Sequence, residues 1–187
     1  MLAGGAALGQ GFIYDQQSAT SDSGGQSGAI NFYTNDVMGQ AFVPSLSSVG
    51  FVRLSLADLG FGSGAVGATV YMNLWADSIG TGTLLDSTAP IYLPVGFNNY
   101  VNFIFSTPAT VTPGTTYFFQ PVSQTGDLLN LGIAAGYAYE SGYAIFDGVA
   151  SPYQNLWFRE GVVSVPEPST ALLALLGAAG LYFRKRK

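Results

Sequence analysis

The chain contains no cysteine and no histidine. Without cysteine it cannot form a disulfide, an iron–sulfur cluster or a cysteine-based zinc site. Without histidine it lacks the commonest general base and the commonest transition-metal ligand, and serine–histidine catalysis is excluded. The sequence also has no Gly-x-Ser-x-Gly nucleophile turn and no phosphate-binding Gly-Lys-Ser/Thr loop. We therefore expect a protein that is not an enzyme.

Charge is scarce, and positive charge is the scarcest. Charged residues make up 9% of the chain, against about 25% in average globular proteins. Before residue 165 the only basic residues are Arg53 and Arg159, against ten acidic ones, which leaves a net charge of −8. Such a region repels a phosphate backbone, so we expect no nucleic-acid partner.

An acidic surface can attract cations, and Ca²⁺ is the candidate outside a cell because it prefers oxygen ligands. Four aspartates stand beside turns rich in Gly, Ser or Asn: Asp77, Asp86, Asp127 and Asp147. No Asp-x-Asp-x-Asp loop accompanies them. We expect no cofactor and no metal site, with a Ca²⁺ ion at these turns as the alternative.

What the chain has in abundance is short runs of alternating apolar and polar residues, which predict β-strands. The apolar sets of the three clearest runs are Val52/Leu54/Leu56, Val70/Met72/Leu74 and Val101/Phe103/Phe105. Turn residues separate the runs, and residues 18–28, which are low in complexity, predict a flexible loop. Roughly ten strands indicate an all-β fold, an antiparallel β-sandwich of the jelly-roll kind, over residues 10–163.

The first nine residues are small and apolar, and Ala7-Leu8-Gly9 has the small-x-small form of a signal-peptidase site. A basic segment before the apolar run is missing. We interpret residues 1–9 as the remnant of a signal peptide whose first part, with its basic residues, has been lost. An N-terminal strand of the domain is the alternative.

The last part of the chain combines three features in order. Val165-Pro166-Glu167-Pro168 holds the backbone extended, because proline cannot donate a hydrogen bond inside a helix. Residues 171–183 are all apolar or glycine and predict a single short helix of about 20 Å, less than the roughly 30 Å of a bilayer core. A basic cluster then follows: Arg184, Lys185, Arg186 and Lys187. By the positive-inside rule this cluster would stay in the cytoplasm and act as a membrane stop. A soluble amphipathic helix fits poorly because residues 171–183 have no polar face.

These three features, in this order, resemble the PEP-CTERM sorting signal, which would occupy residues 164–187. The resemblance implies that the chain is a substrate of an exosortase-type processing enzyme of the inner membrane. It implies transient anchoring there, removal of the tail near the Pro-Glu-Pro motif, and delivery to the cell surface or extracellular matrix of a Gram-negative bacterium. Extracellular polysaccharide is a further partner that this setting suggests.

A second resemblance concerns the region from about residue 38 to residue 160. Gln40-Ala41-Phe42, Leu74-Trp75-Ala76-Asp77 and Leu156-Trp157-Phe158-Arg159 are similar to motifs of the secreted jelly-roll modules called choice-of-anchor domains. That resemblance implies a surface domain with no catalytic activity. From the residues themselves, we expect Trp157 and Arg159 to form a structural pair, with the guanidinium on the indole or on a carboxylate.

Two other functions remain open. A lectin-like module needs exposed aromatic rings, and Tyr137, Tyr139 and Tyr143 cluster around two glycines. Core packing is the alternative for these three rings. A secreted polysaccharide hydrolase needs paired carboxylates. Asp127, Glu140, Asp147 and Glu160 are available, but their spacing marks no pair, and we expect solvated turn residues.

Overall fold

A computed structural model describes residues 11–20, 25–136 and 138–164. These residues form thirteen β-strands and no helix. The first seven strands are β1 Gly11–Gln17, β2 Gln26–Phe32, β3 Gly39–Phe42, β4 Ser48–Asp58, β5 Ala68–Ala76, β6 Thr83–Ser87 and β7 Ile91–Leu93. The others are β8 Asn98–Thr110, β9 Tyr117–Gly126, β10 Leu129–Ala134, β11 Ala144–Phe146, β12 Val149–Ser151 and β13 Phe158–Ser164.

The strands form two antiparallel sheets, and the predicted all-β sandwich is confirmed. The six-stranded sheet has the order β1-β13-β4-β10-β2, and β8 pairs with the other side of β4. The seven-stranded sheet has the order β12-β11-β3-β9-β5-β6, and β7 also pairs with β5. The compact unit Tyr14–Val162 contains the sandwich, while the described residues 11–13 and 163–164 are assigned to a second unit. The jelly-roll connectivity stays a prediction.

The inner faces of both sheets supply one apolar core. All three alternating sets singled out in the sequence lie in it, with side chains that are at most 6% exposed. Phe119 of β9 and Phe158 of β13 meet across the sandwich with ring centroids 5.2 Å apart. The period of two therefore predicted the core correctly, because alternate residues of a strand face opposite sides of a sheet.

The predicted loop over residues 18–28 is wrong at both ends. Ser18 and Ala19 are buried, and the Ser18 hydroxyl donates a hydrogen bond to the Leu156 carbonyl at 2.7 Å. Strand β2 begins at Gln26, inside the predicted loop, and pairs with β10. Pairing to a neighbouring strand has overridden a weak local preference for a loop here.

The signal-peptide remnant at 1–9 and the helix over 171–183 lie outside the described residues. Within the ranges that the structure describes, no helix is both long enough and apolar enough to cross a bilayer.

Candidate functional site

Two of the three tyrosines proposed as a glycan platform, Tyr139 and Tyr143, do not share one surface. Tyr139 is buried, with 7% of its surface exposed, and its ring meets Phe158 edge-on at 5.2 Å in the core. The Val43 backbone N–H donates to its hydroxyl at 2.9 Å, and burial raises the pKa of Tyr139 to about 12. Tyr139 is therefore a structural residue, and its assignment to the platform is wrong. Tyr137 lies outside the described residues.

Tyr143 has a different position, on the outer face of the seven-stranded sheet. It is half-buried and packs against a small apolar cluster outside the main core, formed by Ala41, Phe118 and Ile145. Trp75 joins the same cluster, and its indole N–H donates to the Gln120 side-chain oxygen at 2.9 Å. Trp75 therefore faces the side of the sheet opposite the core residue Leu74, as alternation along a strand requires.

Tyr143 lines a pocket of about 350 Å³ on this face. The deepest lining residues are Phe118 and Ile145, which are 8% and 7% exposed. The rim carries Asp77 and Thr81, both exposed, with Ser78 between them in the chain. The pocket thus has an apolar floor and a rim with a carboxylate and hydroxyl groups.

The loop between β5 and β6 forms one wall of the pocket. Asp77 begins the turn in the left-handed region, with φ at 68°, and Gly82 N–H donates to the Ser78 carbonyl at 3.1 Å. The hydroxyls of Ser78 and Thr81 lie 2.7 Å apart. The Ile79 side chain reaches across to Gly39 of β3, where a side chain would collide with it. Because position 39 is glycine, the Ile79 side chain of the β5–β6 loop can pack directly on strand β3.

The hairpin between β11 and β12 forms the opposite wall. Asp147 and Gly148 make its two-residue turn with φ of 52° and 78°, the positive pair that a type I′ hairpin requires. Gly148 N–H donates to the Val37 carbonyl at 2.8 Å, which fastens the hairpin beside β3. Asp147 therefore has a structural reason for its position, as a turn residue.

The carboxylates weighed for hydrolysis do not converge in the pocket. Asp77 is the one carboxylate among the lining residues that the structure describes, whereas glycoside hydrolysis uses two carboxyl groups about 5–10 Å apart. Asp127 instead accepts hydrogen bonds from the Val66 and Gly67 backbone N–H groups, each at 2.8 Å. It holds a turn, as expected from the sequence.

Glu160 is a correction, because it was expected in a solvated turn and lies buried in strand β13 with no exposed surface. Its Oε1 accepts a hydrogen bond from the Gln16 N–H at 3.1 Å, and its Oε2 has no hydrogen-bond partner among the described residues. Burial, helped by the nearby Asp15 carboxylate, raises the pKa of Glu160 to about 9.

Asp15 behaves in the opposite way to Glu160. Burial favours a higher pKa for Asp15, but hydrogen bonds from the Ser45 hydroxyl and from the Ser45 and Leu46 N–H groups outweigh it and lower the pKa. The two carboxyl groups therefore differ in protonation at neutral pH. No signal in the sequence pairs them, because 145 positions separate residues 15 and 160.

The two basic residues of the domain lie on the other sheet. Arg53 and Arg159 stand directly opposite each other on β4 and β13, and the Arg159 guanidinium lies 3.6 Å from the centre of the Tyr14 ring. Arg53 donates to the Asn102 side-chain oxygen at 2.6 Å. The Trp157 indole meets Tyr100, with centroids 4.3 Å apart. The ring that the Arg159 guanidinium covers is thus Tyr14, while its predicted contact with the Trp157 indole or with a carboxylate stays a prediction.

Among the described residues, no three acidic side chains come together in a way that could hold a metal ion. The four aspartates weighed for Ca²⁺ are dispersed: Asp77 lies at the pocket, Asp86 lies in β6, Asp127 lies in the turn before β10, and Asp147 lies in the β11–β12 hairpin. Binding of Ca²⁺ at any one of these turns stays a prediction.

The sorting residues are Val165, Pro166, Glu167 and Pro168, with the basic cluster Arg184, Lys185, Arg186 and Lys187; all lie outside the described residues. Strand β13 ends at Ser164, immediately before them. Residues 164–187 match the PEP-CTERM protein-sorting motif. No curated protein matches the chain. The motif indicates export, and sorting toward the cell surface by an exosortase-type enzyme.

Proposed function

We propose that this chain is a non-catalytic surface or extracellular-matrix protein of a Gram-negative bacterium, delivered through its PEP-CTERM motif. The observation that carries the proposal is the motif match at residues 164–187, which begins where the last strand of the sandwich ends. One folded domain followed directly by a sorting signal is the arrangement expected of a cargo protein.

The tail acts as a temporary membrane handle. The short apolar segment at 171–183 holds the chain in the inner membrane as a transmembrane helix, and the basic cluster from Arg184 to Lys187 stops it on the cytoplasmic side. Cleavage near Pro166-Glu167-Pro168 then releases the domain. A signal peptide directs the export step that precedes this sorting.

A non-catalytic role is supported by the small number of groups in the domain that could transfer a proton to or from a substrate. The chain has no histidine or cysteine, and the pocket beside Tyr143 has one carboxylate, Asp77, among its described lining residues. General acid–base catalysis requires at least one group matched to proton transfer and, in glycosidases, two. The buried Glu160 does not line the pocket.

Replacing Pro166, Glu167 and Pro168 by alanine in the native host tests the proposal. The parent protein should reach the surface fraction, while the variant should accumulate in the inner-membrane fraction with its tail attached. A control variant carries alanine at three exposed positions of the domain, Ser63, Thr115 and Thr116. This control should reach the surface fraction as the parent protein does. Equal surface delivery of the parent protein and the motif variant would refute sorting through the motif.

A lectin-like module is the second candidate, favoured by the pocket beside Tyr143. Its combination of an apolar floor with hydroxyl and carboxylate groups at the rim suits carbohydrate, which has both apolar C–H faces and hydroxyl groups. Extracellular polysaccharide would then be the partner of the delivered domain.

A further inference from the structure

We propose that the pocket on the outer face of the seven-stranded sheet binds one uncharged sugar unit of a polysaccharide. The inference rests on the second candidate function, the lectin-like module, and specifies its ligand. The β5–β6 loop and the β11–β12 hairpin line this pocket, together with Tyr143.

The size of the pocket limits the ligand to a small group. Its volume of about 350 Å³ lies at the low end of the roughly 300–1,000 Å³ of small-molecule sites. The β5–β6 loop and the β11–β12 hairpin bound it on two sides. A single sugar ring, presented at a chain end or a branch, fits such an enclosure better than a long stretch of polymer.

The lining provides the two kinds of contact that a sugar ring needs. Phe118 and Ile145 present an apolar floor for the C–H face of the ring. The Asp77 carboxylate at the rim accepts hydrogen bonds from ligand hydroxyls, and bonds to a charged acceptor are the stronger kind. The Tyr143 hydroxyl both donates and accepts.

Charge decides which sugars are accepted. Among the lining residues that the structure describes, the pocket has one exposed carboxylate, Asp77, and no cation. The two arginines of the domain are on the six-stranded sheet, where Tyr14 and Asn102 contact them. With a net charge of −8 before residue 165, a uronate, sulfate or phosphate group would meet repulsion and no counter-ion. Uncharged hexoses and N-acetylhexosamines are not repelled by the acidic domain and need no counter-ion.

Binding of defined trisaccharides to the purified full chain in lipid nanodiscs tests the proposal. Cellotriose, maltotriose and N,N′,N″-triacetylchitotriose serve as uncharged probes, and trigalacturonate serves as the charged probe. We expect at least one uncharged probe to bind, with trigalacturonate at least about tenfold weaker. Asp77→Asn should weaken binding about tenfold, the loss of one charge-assisted hydrogen bond, and Ala150→Trp should abolish it by filling the pocket.

Tyr143→Phe keeps the ring and should weaken binding less than Asp77→Asn, without a change in the unfolding midpoint. Phe61→Ala removes an aromatic ring that is 84% exposed and does not line the pocket, and it should leave binding unchanged. The proposal fails if trigalacturonate binds as well as the uncharged probes, or if Asp77→Asn and Ala150→Trp bind normally. If no trisaccharide binds, the lectin-like function fails with it, while sorting through the tail, measured in the host, is unaffected.

Discussion

At the scale of single residues, Glu160 makes the stability of the domain depend on pH. Burial raises its pKa to about 9 from an ordinary value of 4.5, so the folded protein holds a proton that the unfolded chain releases. The unfolded state binds fewer protons between these two values, and the free energy of unfolding therefore falls as the pH rises through that window. Asp15, with its lowered pKa, contributes stability that is lost only below its ordinary value of 3.8.

We expect urea unfolding to show a free energy that decreases from roughly pH 5.5 to pH 8, with a slope of up to about 1.4 kcal/mol per pH unit. Histidine, which ordinarily titrates in this range, is absent from the chain, and the Glu160 variant below separates the effect of Glu160 from that of the α-amino group. The variant Glu160→Gln keeps the size of the side chain without its ionisation and should flatten the profile. An unchanged slope in Glu160→Gln would show that another group is responsible.

Tyr139 provides a second test at this scale. In Tyr139→Phe the Val43 N–H loses the hydroxyl that accepts from it, which should lower the free energy of unfolding by about 1–3 kcal/mol. Because the ring faces the core beside Phe158, any binding of sugar should be unchanged. If the variant unfolds like the parent protein but binds less sugar, Tyr139 contacts the sugar and belongs to the glycan platform.

Individual residues also show where sequence reasoning succeeds. Val52 and Leu54 were assigned to the core because alternation within a strand fixes the side on which a residue faces. Tyr139 and Tyr143 lie in an irregular segment before β11, where no period applies and contacts with distant strands decide the orientation. Glu160 lies within strand β13, two positions after the core residue Phe158, so alternation along the strand turns it to the interior and not to a solvated turn.

At the scale of elements, the position of the β5–β6 loop depends on Gly39 in strand β3. An added Cβ at position 39 would collide with the Ile79 side chain and would lie 2.7 Å from the Phe119 carbonyl oxygen. We expect Gly39→Ala to lower the free energy of unfolding by about 1–3 kcal/mol and to weaken binding in the pocket.

Gly28→Ala is the matched control for Gly39→Ala, because Gly28 lies in the exposed strand β2 and an added Cβ there has no neighbour within 4 Å. Alanine should be neutral there or stabilise by about 0.5–1 kcal/mol, since glycine loses more backbone freedom on folding. Equal effects of the two substitutions on stability would show that contact with Ile79 and Phe119 does not constrain the loop.

At the scale of the whole molecule, strand β13 lies between β1 and β4, so the sandwich needs the chain up to Ser164. A chain that ends at Ser164 should unfold cooperatively with the same midpoint as the full chain. A chain that ends at Trp157 lacks β13, including Phe158 of the core, and should show no cooperative thermal transition by circular dichroism. A folded 1–157 chain would contradict the strand order described above.

The central claim is that residues 165–187 are a sorting handle which the cell removes. The most direct measurement is mass spectrometry of the C-terminal peptide of the protein recovered from the cell surface, in hosts with and without the exosortase. We predict that surface material ends near Pro166-Glu167-Pro168 and that, without the enzyme, only membrane-bound protein with an intact Arg-Lys-Arg-Lys end is found. Surface protein that retains those four residues in the normal host would contradict the account.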